Sequence, residues 1–140
     1  MNEIEELLPH REPFLFVDEI VEASREKIVA RYVFAENEFF FKGHFPEYPV
    51  VPGVILIETM AQSGGAGLRN IGVLGDNALF FLATIDKAKF RRQVRPGDEV
   101  RSEIVNLRIS PNMIRQSGKA YVNEELAAEA EWMCLVGTGD

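Results

Sequence analysis

Two side chains in this sequence have the types and the setting for acid–base chemistry. His44 heads the run Gly43-His44-Phe45-Pro46-Glu47-Tyr48-Pro49-Val50-Val51-Pro52-Gly53, and Glu58 follows inside the apolar stretch from Val54 to Ala61. An imidazole with a pKa near ~6.5 can accept a proton at neutral pH if its ring is held in place. A carboxyl set among apolar side chains behaves oppositely: burial disfavours its charged form, so it can keep a proton near neutral pH and donate it. Together they would make a base and an acid. Each also has a plain structural reading, His44 as an exposed or structural histidine and Glu58 as a salt-bridged structural acid. The residues alone leave both open.

The elements that must position this pair can be read from their surroundings. Proline fixes φ and removes a backbone donor, so Pro46, Pro49 and Pro52 keep the stretch after His44 out of helix and central strand. Pro52 and Gly53 open a segment, residues 54 to about 70, whose length and composition predict a helix with Glu58 in its second turn. Val54, Ile55, Leu56, Ile57, Met60, Ala61, Ala66 and Leu68 make it apolar nearly all round, as in a helix covered by its own sheet, with or without a partner. Its Ser63-Gly64-Gly65-Ala66-Gly67 run gives up roughly 1 kcal/mol of helix propensity per glycine, which predicts close backbone packing there.

Elsewhere, residues 3–8 suit a short amphipathic helix. Strand patterns occupy residues 13–21, 27–34, 78–85, 88–94, 99–109, 113–122 and 126–136. Pro96-Gly97-Asp98, Ser110-Pro111-Asn112 and Asn123-Glu124-Glu125 supply turn chemistry between the later strands. One long helix among strands with hairpin-length connections predicts an α+β unit, its antiparallel sheet packed around or against the helix. A chain of 140 residues makes one domain, residues 1–140.

Composition narrows the classes of function. A net charge of −7 and a pI near 4.9 argue against nucleic acid as a partner. No apolar run approaches the roughly 20 residues of a membrane span, and the N-terminus is acidic, so a soluble cytoplasmic protein without membrane insertion is expected. The lone Cys134 cannot form an internal disulfide and reads as packing. His10, in Pro9-His10-Arg11, reads as structural. Two histidines and one cysteine without Cys-x-x-Cys spacing offer zinc too few ligands, and the glycine run lacks the Lys-Ser/Thr of a phosphate loop. Lys87, Lys89, Arg91, Arg92 and Arg95 fall within nine residues free of acids, while Glu3, Glu5, Glu6, Glu124, Glu125, Glu129 and Glu131 lie elsewhere in the sequence. The cluster reads either as a solvated strand edge or as a docking patch for an acidic partner.

The pattern Gly43-His44-Phe45-Pro46-x-x-Pro49-Val50-x-Pro52-Gly53-Val54 followed by Glu58-x-Met60-Ala61-Gln62 resembles the (3R)-hydroxyacyl-[acyl-carrier-protein] dehydratases of bacterial type II fatty acid synthesis, the FabZ type of the hot-dog fold. The likeness runs almost end to end. It includes Leu8-Pro9-His10-Arg11, Pro13-Phe14-Leu15 and Val17-Asp18, then Ile85-Asp86-Lys87-Ala88-Lys89-Phe90 and Pro96-Gly97-Asp98, and finally Ala128-Glu129-Ala130-Glu131. The resemblance implies a central helix wrapped by a curved antiparallel sheet, a homodimer, and commonly a hexamer of three dimers. It implies that His44 of one chain and Glu58 of the other form each site at the dimer interface, that the Gly53 amide receives the thioester carbonyl, and that no metal or redox cofactor is needed. The partner it implies is an acyl carrier protein bearing a 3-hydroxyacyl chain, an acidic protein that the cluster from Lys87 to Arg95 would dock.

Three departures from that pattern bear on chain length and pathway rather than on chemistry: Val51 stands where methionine is common, Glu12 where an aromatic residue is frequent, and the 63–67 run is unusually rich in glycine. Glutamate at position 58, where the relative that also isomerises the double bond has aspartate, favours dehydration alone. Other readings are an accessory dehydratase of a polyketide or aryl-polyene pathway, a hot-dog acyl-thioester hydrolase, and a non-catalytic acyl-thioester-binding protein.

Overall fold

In the computed structural model, residues 3–138 are described. The elements are α1 (Glu3–Leu7), β1 (Glu19–Ala23), β2 (Lys27–Val33), a 3-10 turn (Phe39–Lys42), α2 (Gly53–Asn70), β3 (Ala78–Phe90), β4 (Glu99–Ser110), β5 (Met113–Val122) and β6 (Glu125–Thr138). The strands form one six-stranded sheet in the order β1-β2-β4-β5-β6-β3, antiparallel at every pairing, which leaves β1 and β3 as its edges. The sheet wraps α2, which touches every strand. This is the hot-dog arrangement.

Helix α2 begins where Pro52, with φ −58° and ψ 140°, stands outside the helix and its carbonyl accepts the Ile55 and Leu56 N–H groups. It ends at Asn70, and Gly72 just beyond, with a φ of +79°, lets the chain turn away. Between them Met60 and Leu68 are fully enclosed among Ile28, Ile104, Ile114 and Trp132 of the sheet. The small residues allow the approach: a Cβ on Gly64 would stand 2.2 Å from the Gln116 amide oxygen, and one on Gly65 2.2 Å from the Phe80 ring.

Two expectations need correction. The strand expected over residues 13–21 is confined to Glu19–Ala23, because the Phe16 N–H and the Phe14 carbonyl are bonded by the Gln62 side chain and are lost to a neighbouring strand. The separate strands expected over 78–85 and 88–94 are one strand, Ala78–Phe90, running through a bulge between Asp86 and Lys89 at which Lys87 has φ of +53°.

Candidate active site

Glu58 sits on α2 with its side chain only 19% exposed. Burial raises its carboxyl above the ordinary range, and a hydrogen bond from Gln62 partly offsets this. That bond runs from Gln62 Nε2 to Glu58 Oε2 at 2.9 Å, one helical turn apart. Gln62 is itself locked: its Nε2 also donates to the Phe14 carbonyl at 3.1 Å, and its Oε1 accepts the Phe16 N–H at 2.8 Å. Turning the amide over would put like against like at each contact, so the orientation is fixed. His10 completes the nest. Its Nε2 is 3.6 Å from Glu58 Oε2 and its ring lies 5.5 Å from that of Phe80 on β3. Cys134, buried beneath on β6, has its thiol pushed up to about 12 by burial and by the charge of Glu58, which fits packing rather than nucleophilic use.

His44 belongs to a different neighbourhood. The Val50 N–H donates to the His44 carbonyl at 3.0 Å, and the His44 ring Nδ1 lies 3.1 Å from the Val50 carbonyl. A carbonyl can only accept, so Nδ1 carries the hydrogen and a neutral ring leaves Nε2 with its lone pair free. The half-buried ring stacks on Phe45 at 4.3 Å. The Val51 N–H bonded to the Val94 carbonyl, and Tyr48 Oη to Gln93, tie the loop to the chain just beyond β3.

Gly53 opens α2 beside this loop, and among the described residues no acceptor is bonded to its N–H. It lines a cavity of about 520 Å³ with Val51, Val54, Phe90, Arg92 and Val94. A Cβ at this position would lie 2.8 Å from the Phe90 ring. A group entering the cavity meets an apolar wall, a free amide at the positive end of a helix and an arginine at the rim. Among the described residues of a single chain, His44 and Glu58 make no contact with each other.

The basic cluster is less bare than its sequence. Strand β6 brings the distant acids against it: Arg91 pairs with Glu129 at 2.8 Å, Arg92 with Glu125 at 3.4 Å and Lys87 with Glu131 at 3.8 Å, while Asp98, in the turn before β4, lies 4.0 Å from Arg92. Acids remote in sequence are therefore adjacent in space. Among the described residues no carboxylate lies within ion-pair distance of Lys89 or Arg95, and the Arg95 guanidinium covers the Tyr48 ring at 4.5 Å.

Residues 8–131 match the FabA-like domain family. The chain belongs to the FabA-like family. Among its FabA-like relatives, the 3-hydroxyacyl-[acyl-carrier-protein] dehydratase FabZ of Desulforamulus reducens is 47% identical over 138 residues, covering 98% of this chain and 96% of that protein. The protein of the same name from Pelotomaculum thermopropionicum is 47% identical over 138 residues, covering 97% of each. Among solved structures, the dehydratase heterocomplex ApeI:P of Xenorhabdus doucetiae matches with a TM-score of 0.82 over 99% of this chain and 93% of that chain at 15% identity, a likeness of fold.

In this FabA-like chain sequence reasoning gave Gln62 no role beside Glu58 and read His10 as structural. Gln62 had a usable signal, its spacing of four from Glu58 on a helix. His10 had none, since what gives it a place is a contact across 48 residues of chain.

Proposed function

We propose that this chain is a (3R)-hydroxyacyl-[acyl-carrier-protein] dehydratase of type II fatty acid synthesis, a hydro-lyase, whose sites each take His44 from one subunit and Glu58 from the other. The observation that carries the shared site is the placement of the two halves along β3. The His44 loop and Gly53 adjoin Phe90 at one end of the strand, while Glu58 reaches toward Phe80 through His10. Strand β3 is a long open edge with Phe81 58% and Phe90 52% exposed, and Leu82 and Ile85 bare beside them. Such an edge is an aggregation hazard unless covered. Two copies paired antiparallel through β3 bring the Phe80 end of one against the Phe90 end of the other, and a two-fold axis does this twice. Exposed Val105 and Leu107, away from β3, are apolar surface by which three dimers can assemble into a hexamer.

The chemistry then divides as the two environments suggest. Nε2 of neutral His44 takes the C2 proton of the 3-hydroxyacyl thioester, made acidic by a carbonyl that accepts the Gly53 N–H. The C2 electron pair forms the C2–C3 double bond as the C3–O bond breaks, and protonated Glu58 gives its proton to the departing hydroxyl. Water and a trans-2-enoyl thioester leave, and passage of the proton from His44 to Glu58 restores the starting state. The acyl chain lies in the apolar space between subunits, in the cytoplasm where carrier-protein substrates are made.

Mixed dimers test the shared site. His44→Ala and Glu58→Gln alone each reduce turnover by ~10²-fold or more. Co-expressed, they regain about a quarter of wild-type activity, because half of the dimers pair unlike chains and one of the two sites in each is then intact. No regain, with mixed dimers verified by mass, would place each site within one chain. A folded wild type inert on carrier-protein substrates of several lengths would remove the dehydratase reading and favour a binding role.

The carrier protein docks, in this reading, on the Lys87, Lys89, Arg91, Arg92 and Arg95 face, with Lys89 and Arg95 supplying the charge that β6 does not neutralise. Lys89→Glu is expected to raise KM severalfold for a carrier-protein substrate at low salt and to leave KM for a short free thioester unchanged. Equal effects on both substrates would rule docking out.

A further inference from the structure

The proposed mechanism gives no work to His10, although its ring stands against the Glu58 carboxyl. Its Nε2 faces Glu58 Oε2 at 3.6 Å, the same oxygen that accepts from Gln62. Its Nδ1 is enclosed and has no hydrogen-bond partner among the described residues. These two facts select a tautomer. With the hydrogen on Nδ1, a buried N–H donor would be orphaned, the rarer and more costly defect. With the hydrogen on Nε2, the orphan is a lone pair and the N–H points at the carboxyl.

We propose that His10 is a positioning residue for Glu58: its Nε2–H donates to Oε2 when substrate closes the site, so that with Gln62 it commits Oε2 to accepting and leaves Oε1 to carry the proton that is delivered. This rests on the reading of Glu58 as the acid. At 3.6 Å the contact is longer than a hydrogen bond, and catalytic hydrogen bonds of this kind tighten in the substrate complex. A carboxyl whose two oxygens were equivalent would present its proton to the substrate in only part of its orientations. One whose Oε2 is held by two donors presents it in one.

The surroundings keep His10 in the required state. Burial, and then the adjacent Arg11 cation, hold its pKa below the ordinary 6.5, so the ring is neutral at working pH. The other groups that face Glu58 are neutral there as well: Gln62 from its own helix, and from β6 the Cys134 thiol, which burial keeps protonated. In the assembled dimer the partner's catalytic imidazole joins them across the substrate.

The test measures kcat and KM across the neutral and alkaline range on a 3-hydroxybutyryl carrier-protein thioester, using the assembled full chain. Its variants are His10→Gln, His10→Phe, His10→Asn and Glu58→Gln. Glutamine places an amide N–H close to where Nε2 stands, phenylalanine keeps the ring without the donor, and asparagine is polar but too short to reach. His10→Phe and His10→Asn are expected to lose about tenfold in kcat with KM unchanged, while His10→Gln stays within about twofold of wild type. Their alkaline limb moves up, because losing a donor that favours the carboxylate raises the proton affinity of Glu58, whereas the limb of His10→Gln stays in place. Should phenylalanine prevent folding, asparagine against glutamine makes the same comparison. Wild-type kcat and alkaline limb in the folded donorless variants, or a His10→Gln as impaired as they are, would overturn the proposal. An active Glu58→Gln would instead remove the acid assignment on which it rests.

Discussion

The proposed base and the proposed acid of the site are built on opposite plans. His44 is held by its own loop, its Nδ1 bonded to the Val50 carbonyl six residues away. Glu58 is held by Gln62, which is anchored to Phe16 and Phe14 across 46 and 48 residues of chain, and it is faced by His10 at a similar remove. The His44 loop is a local device carried on the fold, whereas the setting of Glu58 is a product of the fold. A loop held locally can be altered with little effect on the rest. A buried carboxyl held by the N-terminal segment ties that segment, and the stability of the helix face beneath it, to the chemistry.

The sharpest way to break this contrast is to remove the anchor of the acid half. Gln62→Leu fills the volume but leaves the Phe16 N–H and the Phe14 carbonyl without their partner, so it is expected to lower stability by about 2–4 kcal/mol. His44→Ala loses one hydrogen bond at a half-buried position, and its effect is expected to stay within about 1 kcal/mol. Urea unfolding of the two variants beside wild type decides the matter. Similar losses for both would mean that the acid half is no more integrated than the base half.

The same contrast explains which features could be seen before the fold. The His44 loop and the start of α2 are written in neighbouring residues, since Pro46, Pro49, Pro52 and Gly53 act on the backbone where they stand. The burial of Glu58 followed from the apolar faces of its own helix. What escaped was set by pairing at long range. Residues 14–16 have strand composition, yet Gln62 takes their hydrogen bonds and no strand forms. Lys87, Arg91 and Arg92 look unopposed until the pairing of β3 with β6 brings Glu131, Glu129 and Glu125 against them. The bulge at Lys87 was mistaken for a break because a turn and a bulge have similar local chemistry. His10 gains its place only through a fold that returns the N-terminal segment to α2.

A smaller effect sharpens the comparison from the acid side alone. Burial raises the Glu58 carboxyl above its ordinary 4.5 in the folded chain, so the folded state binds this proton more tightly than the unfolded state does. The stability that follows is complete below the ordinary value and is lost as pH rises through the folded one. Above that window the wild type carries a buried carboxylate that Glu58→Gln lacks. The variant is therefore expected to melt a few degrees higher than wild type at pH 8, and the difference should shrink as pH falls and vanish below about 4.5. Melting both proteins across this range measures it. A difference that does not change with pH would mean that folding leaves the proton affinity of Glu58 unshifted, and a variant less stable than wild type at pH 8 would show that the nest stabilises the charged carboxylate; either result would remove Glu58 as an acid holding its proton.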